Sequence, residues 1–483
     1  MTRATLLPFG VTKEVRALLP AWLACLGALS ASAAVSDPRI RVFAVLAFGV
    51  GSVALGALSI GHEYTHRTLT QLLSHPVGRG RLYLVKLGVL AAMLLPIGAV
   101  AYGVVFNTSE LPSGISRSAM LWLLPVLCAL FIAPLLTMIC RGPLAGVVFA
   151  IAIPGVMVIL IDVLLVATYG MAAAGTPELQ RLRLVVFCRT LLGFSGIAAV
   201  LGWRMFMRLE AIDGRDAELH LFVPLASADA RARHPLWLLA KKELRLQQMS
   251  LVVAGLYLPA WSAESLFRYL VPDFPGPPLA VISVLYGGLL AMLIGSLASA
   301  EERQLGTLEW QLLLPLATWK QWAVKAGMAL GLATLLSFAL PALLAAGQIR
   351  INEWHLAVVI LLTVGSLYVS SLSTSGVRAL LVSLPVMFVV LLLLGWVHFL
   401  FEAAPSFRPG NWTIWWRSLH RWLPLVLLIV VLAVVLRFAL ENHRSGERGA
   451  RRVWQQVFWM VGCLTVSFAL LVAFRLVVVA AFR

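Results

Sequence analysis

Charge is what this sequence has least of. Asp, Glu, Lys and Arg make up 12% of its 483 residues, while 61% are hydrophobic. That balance excludes an ordinary soluble domain, in which about a quarter of the residues are charged. Cysteine is scarce too. Cys25, Cys128, Cys140, Cys188 and Cys463 form no C-x-x-C pair, which excludes a disulfide framework and a thiolate metal centre and leaves them as small apolar fillers. The phosphate-cradling pattern G-x-x-x-x-G-K-[ST] is absent, so the chain carries no P-loop nucleotide site. Acidic residues number 21 against 38 basic ones, a formal net charge of +17. The bases gather in alternate loops between apolar runs, as the positive-inside rule requires, so no nucleic-acid partner is expected.

What the sequence has in quantity is long apolar runs. Those at 17–35, 40–61, 84–106, 119–140, 144–168 and 185–203 form a first set. A second set runs at 248–267, 279–299, 324–346, 356–374, 379–400 and 423–440, and one more run follows at 453–474. A helix of about 20 apolar residues crosses the hydrocarbon layer. The expectation is therefore an all-α polytopic membrane protein of 12–13 spans. All six lysines (Lys13, Lys86, Lys241, Lys242, Lys320, Lys325) lie at one side of this topology, which predicts a cytoplasmic N-terminus. The first run has the look of a signal peptide, yet the Lys13–Arg16 segment "KEVR" before it returns mid-chain as "KELR" at Lys242–Arg245, so it is read as a retained span.

That echo belongs to a larger repeat. Glu63, Thr68, Leu69, Leu73, Pro76 and Lys86, shifted by 239 positions, fall on Glu302, Thr307, Leu308, Leu312, Pro315 and Lys325, and Gly56 falls on Gly295. Six spans per copy bring both copies into the membrane in the same sense, a parallel repeat. The expected organisation is a first repeat at 1–205, a cytoplasmic linker at 206–235, a second repeat at 236–450 and an extra C-terminal span at 451–483.

In each repeat a span rich in glycine and alanine ends in glutamate, followed by Thr-Leu, a leucine-rich turn, proline and a lysine at the next span. The leucines at 69, 72 and 73 share one face of a short helix, which predicts an amphipathic segment under the membrane. The glutamate is expected to be hydrated or paired with arginine, and Arg79, Arg81 and Lys86 to pin the return at the headgroups. This pattern resembles the type-2 permeases of ABC transporters, the membrane subunits of many drug, polysaccharide and bacteriocin exporters.

The resemblance implies that the loops at 62–82 and 300–322 are coupling elements that dock on an ATP-binding subunit. Their residues would be Glu63, Thr68, Leu69 and Pro76 in the first, and Glu302, Thr307, Leu308 and Pro315 in the second. Lys13 with Glu14, and Lys242 with Glu243, would sit in connecting helices. It also implies that this chain is not an enzyme: ATP and Mg would bind in the partner, with no cofactor here. Permeases of this kind usually have six spans per chain and act as dimers, so one chain here would supply both halves.

Other readings compete. His62-Glu63-Tyr64-Thr65-His66 spells H-E-x-x-H, two ligands and a base of a zinc peptidase. The second copy keeps the glutamate but replaces His62 by Glu301 and His66 by Leu305, so no metal is expected. An ATP-independent secondary transporter fits parallel repeats but needs midplane ion-coupling carboxylates, which are few here. Asp162 and Arg189 lie within the fifth and sixth spans, and are expected to pair with each other or to line a path. Arg141 and Arg378 occupy matching short turns as anchors, and the aromatic-basic stretch at Asn411–Trp422 reads as an interfacial helix.

Overall fold

The computed structural model describes residues 3–33, 38–65, 68–74, 77–103, 124–170, 176–209, 235–270, 279–313, 315–345, 353–386, 412–445 and 450–481. Among these residues every regular element is a helix and there is no strand. In chain order they are α1 (Arg3–Ala33), α2 (Pro38–Thr65), α3 (Leu69–Leu73), α4 (Arg79–Ala101), α5 (Leu124–Cys140), α6 (Pro143–Tyr169), α7 (Pro177–Met207) and α8 (Pro235–Leu246). Then follow α9 (Gln248–Leu270), α10 (Leu279–Leu305), α11 (Leu308–Leu312), α12 (Thr318–Leu344), α13 (Glu353–Leu372), α14 (Gly376–Val386), α15 (Trp412–Ser445) and α16 (Ala450–Ala481).

Eight of them, α4, α6, α7, α9, α10, α12, α13 and α15, are long and apolar enough to cross a membrane. Helices suit this setting because each backbone N–H and C=O is satisfied within its own segment. The chain is thus an all-α, multi-pass membrane protein. All thirteen expected spans overlap a described helix, but α5 and α14 are shorter than a full crossing over the described residues. The 206–235 linker lies almost wholly outside the described residues.

Two helices occupy central places. α2 packs on α1, α4, α5 and α6, and α10 lies against α13 along much of its length. Both crossings depend on a glycine. A Cβ on Gly56 would stand 2.1 Å from the Ala129 carbonyl oxygen, and one on Gly295 would stand 2.1 Å from Ser366 Oγ and 2.5 Å from the Thr363 carbonyl. Without a strong hydrophobic force between helices in lipid, such close backbone approach supplies the packing. Gly56→Ala is expected to cost about 1–3 kcal/mol by overpacking. Gly88→Ala in α4, with open space around it, is the control. Thermal unfolding in detergent checks this: the first variant melts lower than the parent and the second melts with it.

Chain reversals use local conformations suited to them. α10 ends at Gly306 in the left-handed region, φ 70°, as helix C-termini commonly do. Arg141, after α5, adopts φ 51°, alone among the described non-glycine residues, and Gly142 and Pro143 then start α6.

Candidate functional site: two buried ion clusters

Where α1, α2 and α4 meet, four charged side chains converge. Lys86 Nζ donates to Glu14 Oε1 at 2.6 Å, to Glu63 Oε1 at 3.2 Å and to the Ser59 carbonyl at 3.3 Å. Lys13 Nζ reaches Glu63 Oε1 at 3.0 Å. The hydroxyl of Thr68 donates to Glu63 Oε2, and its backbone N–H to the Glu63 carbonyl at 3.0 Å. Leu72 N–H then bonds the Thr68 carbonyl at 2.9 Å, which starts α3.

α8, α10 and α12 build the same arrangement. Lys242 Nζ lies 2.5 Å from Glu302 Oε1, and Lys325 Nζ contacts Glu302 Oε2 and stands 3.6 Å from Glu243 Oε1. Lys325 also donates to the Ala298 carbonyl at 2.8 Å; Ala298 is Ser59 shifted by 239. Thr307 N–H bonds the Glu302 carbonyl at 2.9 Å and Gln311 N–H the Thr307 carbonyl at 3.0 Å. Each backbone bond matches its counterpart in the first cluster.

Both glutamates are fully buried, as are Lys86 and Lys325, whereas Lys13 and Lys242 are partly open. The sequence reading therefore needs two corrections. Glu63 and Glu302 are neither hydrated nor paired with arginine; lysines from two other helices neutralise them. Lys86 does not reach out to headgroups but is buried against Glu14 and Glu63, because a carboxylate buried at the end of α2 needs a counter-charge within reach. Arg79 donates to the Met207 carbonyl at 2.7 Å, a tie to α7 within the protein.

Burial raises the Glu63 carboxyl, but His62, Lys86 and Thr68 outweigh that and hold it well below the usual carboxylate range. Glu243 moves the other way. Burial pushes it up to about 7, Lys325 opposes this and Glu302 adds to it. A carboxyl with a raised folded-state value favours folding while protonated, and that contribution fades as pH climbs from the unfolded value of 4.5 to about 7. The melting-temperature advantage of the parent over Glu243→Gln is thus expected to shrink between pH 5 and pH 7.5. A gap that widens over that range contradicts the assignment.

The short helices differ in surroundings. In α3, Leu72 is buried and Leu69 and Leu73 are half-buried against Tyr83, Met138 and Phe206. The leucine face thus meets protein rather than lipid. Thr70, Gln71 and Ser74 face out. In α11, Leu308 is buried, Gln311 accepts from Lys242 at 2.5 Å, and Glu309, Trp310 and Leu313 face out. Pro315 is exposed in the turn before α12, while Pro76 and His66 lie outside the described residues.

Glu14, His62 and Glu63 bring potential metal-ligand atoms within 4.8 Å of one another. His62 Nδ1 faces the Leu58 carbonyl at 2.8 Å and Nε2 lies 3.1 Å from Glu63 Oε1. Lys86 binds both carboxylates, so a divalent ion would face a buried ammonium group.

Asp162 pairs with Arg183 rather than with Arg189. Arg183 Nε lies 2.6 Å from Oδ1 and its terminal nitrogen 2.6 Å from Oδ2, whereas Arg189 is on the exposed surface of α7. Sequence reasoning missed Gln311, Arg183 and the Glu264–Arg268 pair of α9, 2.9 Å apart. The signal for the last two was charge at similar depth in neighbouring apolar runs. No family model, curated protein or solved structure matches the chain.

Proposed function

We propose that this chain is the membrane permease of an ATP-binding-cassette transporter, of the exporter class, in a cell inner membrane with its N-terminus in the cytoplasm. The observation that carries the reading is the duplicated ion cluster. Twice, a lysine and glutamate (Lys13 and Glu14 within α1, Lys242 and Glu243 in α8), a glutamate near the end of a long helix and a lysine in the helix after the loop fix the start of a short helix with one exposed face. A cluster of this kind ties three helices to one loop, so a push on the loop moves all three together. Two such handles, one per six-span repeat, suit a pair of ATP-binding sites in partner subunits that rock the repeats against each other. This chain supplies the path and binds neither ATP nor Mg itself. Purification from native membranes is expected to bring an ATP-binding subunit with it. Transport by the chain alone in proteoliposomes would instead favour the secondary transporter.

A zinc peptidase is the second reading, favoured by the Glu14, His62 and Glu63 cluster. Metal analysis separates the two. The permease reading predicts no stoichiometric zinc, and zinc that is lost in His62→Ala would overturn it.

A further inference from the structure

α6 and α7 precede the 206–235 linker and α9 follows it, yet α6 packs directly on α9. The seam is apolar, with Phe267 of α9 among Ile161, Leu165, Leu179, Phe187 and Cys188 of α6 and α7. Four charged side chains are set beside this apolar seam. Arg183 holds Asp162 through two bonds of 2.6 Å, and Arg268 holds Glu264 at 2.9 Å. The two pairs lie on the faces that meet: Arg183 is one helical turn before Phe187 and Glu264 one turn before Phe267, and these two phenylalanines share the seam.

Their depth is informative. α6 begins beside the first cluster, where a Cβ on Gly61 would meet Pro143. Asp162, 19 residues further, lies about 28 Å along the axis at 1.5 Å per residue. Glu264 lies 16 residues into α9, about 24 Å beyond the helix that carries Lys242 and Glu243. The charges therefore stand a membrane thickness away from the two handles. Charge held inside a bilayer is costly and tends to be functional.

We propose that Asp162, Arg183, Glu264 and Arg268 form a charge latch that closes the seam between α6–α7 and α9 at the membrane face opposite the ion clusters, Arg183 being shared between Asp162 on its own side and Glu264 across it. The four charges sum to zero, so the closed latch leaves no net charge in lipid. When Arg183 releases Glu264, each arginine keeps its own carboxylate, and the seam parts without exposing a lone ion. Its opening as a step of transport rests on the permease reading; the latch itself does not.

Cys188 is a native reporter, being buried in the seam. In full-length chain with Cys25, Cys128, Cys140 and Cys463 changed to alanine and reconstituted in liposomes, a small membrane-impermeant thiol reagent is expected to label Cys188 slowly. Glu264→Gln is expected to label about tenfold faster or more, the scale of a lost charge pair at an interface. Asp162→Arg with Arg183→Glu keeps the pair between α6 and α7 but sets glutamate against Glu264, and labels fast as well. Adding Glu264→Arg and Arg268→Glu inverts all four charges and restores slow labelling. Unchanged labelling in Glu264→Gln and in the double swap would overturn the latch. So would an inverted set as fast as the swap, which would mean that labelling reports damage rather than release. No ATP-binding subunit is needed, so failure here leaves the permease reading standing, and an absent ATPase leaves the latch standing.

Discussion

Glu302→Arg is expected to leave almost no folded protein. Glu302 is fully buried between Lys242 and Lys325, so the change removes two ion pairs and packs a third cation beside two ammonium groups. Breaking one buried pair costs about 3–5 kcal/mol. A whole domain has only about 5–15 kcal/mol of stability. Glu63→Arg is expected to be damaging but less so. Lys13 is partly exposed and can swing away, and Lys86 keeps Glu14 at 2.6 Å. Lys325 has no such reserve, since Glu243 stands 3.6 Å off. The yield of monodisperse chain in detergent measures both. Parent-like yields in the two variants would show that the clusters do not hold the helices.

The second large effect is on partner binding. Because the glutamates are buried, a docking subunit would touch the outward faces of the short helices instead. Gln71 and Trp310 are equivalent under the 239-residue shift, and both are exposed. Gln71→Arg with Trp310→Arg is therefore expected to fold normally and to lose the co-purifying ATP-binding subunit, with a fall in affinity of about 100-fold or more if Trp310 is an aromatic anchor. Each single change is expected to lose less, Trp310→Arg more than Gln71→Arg, since Trp310 is a large exposed aromatic side chain while the α3 face is polar. Affinity measured against the purified subunit tests this. Equal binding by parent and double variant would place the contact elsewhere.

The repeat made much of the site legible from the sequence. Aligning the two copies singled out Glu63, Lys86, Glu302 and Lys325, and the "KEVR" and "KELR" echo added Lys13, Glu14, Lys242 and Glu243; these eight make both clusters. Their convergence was not legible, because it depends on how deep each helix end sits. A lysine near the start of a span reads as a headgroup anchor until a carboxylate is seen beneath it. The partner of Asp162 was hidden for a rotational reason. Arg183 and Arg189 are six residues apart, about 240° around a helix, so only the orientation of α7 decides which one faces α6. The repeat matched Gly56 with Gly295, but the surfaces they meet, Ala129 for one and Thr363 and Ser366 for the other, could not be read from the sequence.

In the proposed permease, α3 and α11 are handles for an ATP-driven partner. Photo-crosslinking in native membranes tests it most directly, with a photoreactive amino acid placed at Gln71 or at Trp310. An adduct with an ATP-binding subunit is expected from both positions. Adducts with lipid alone from both would contradict it.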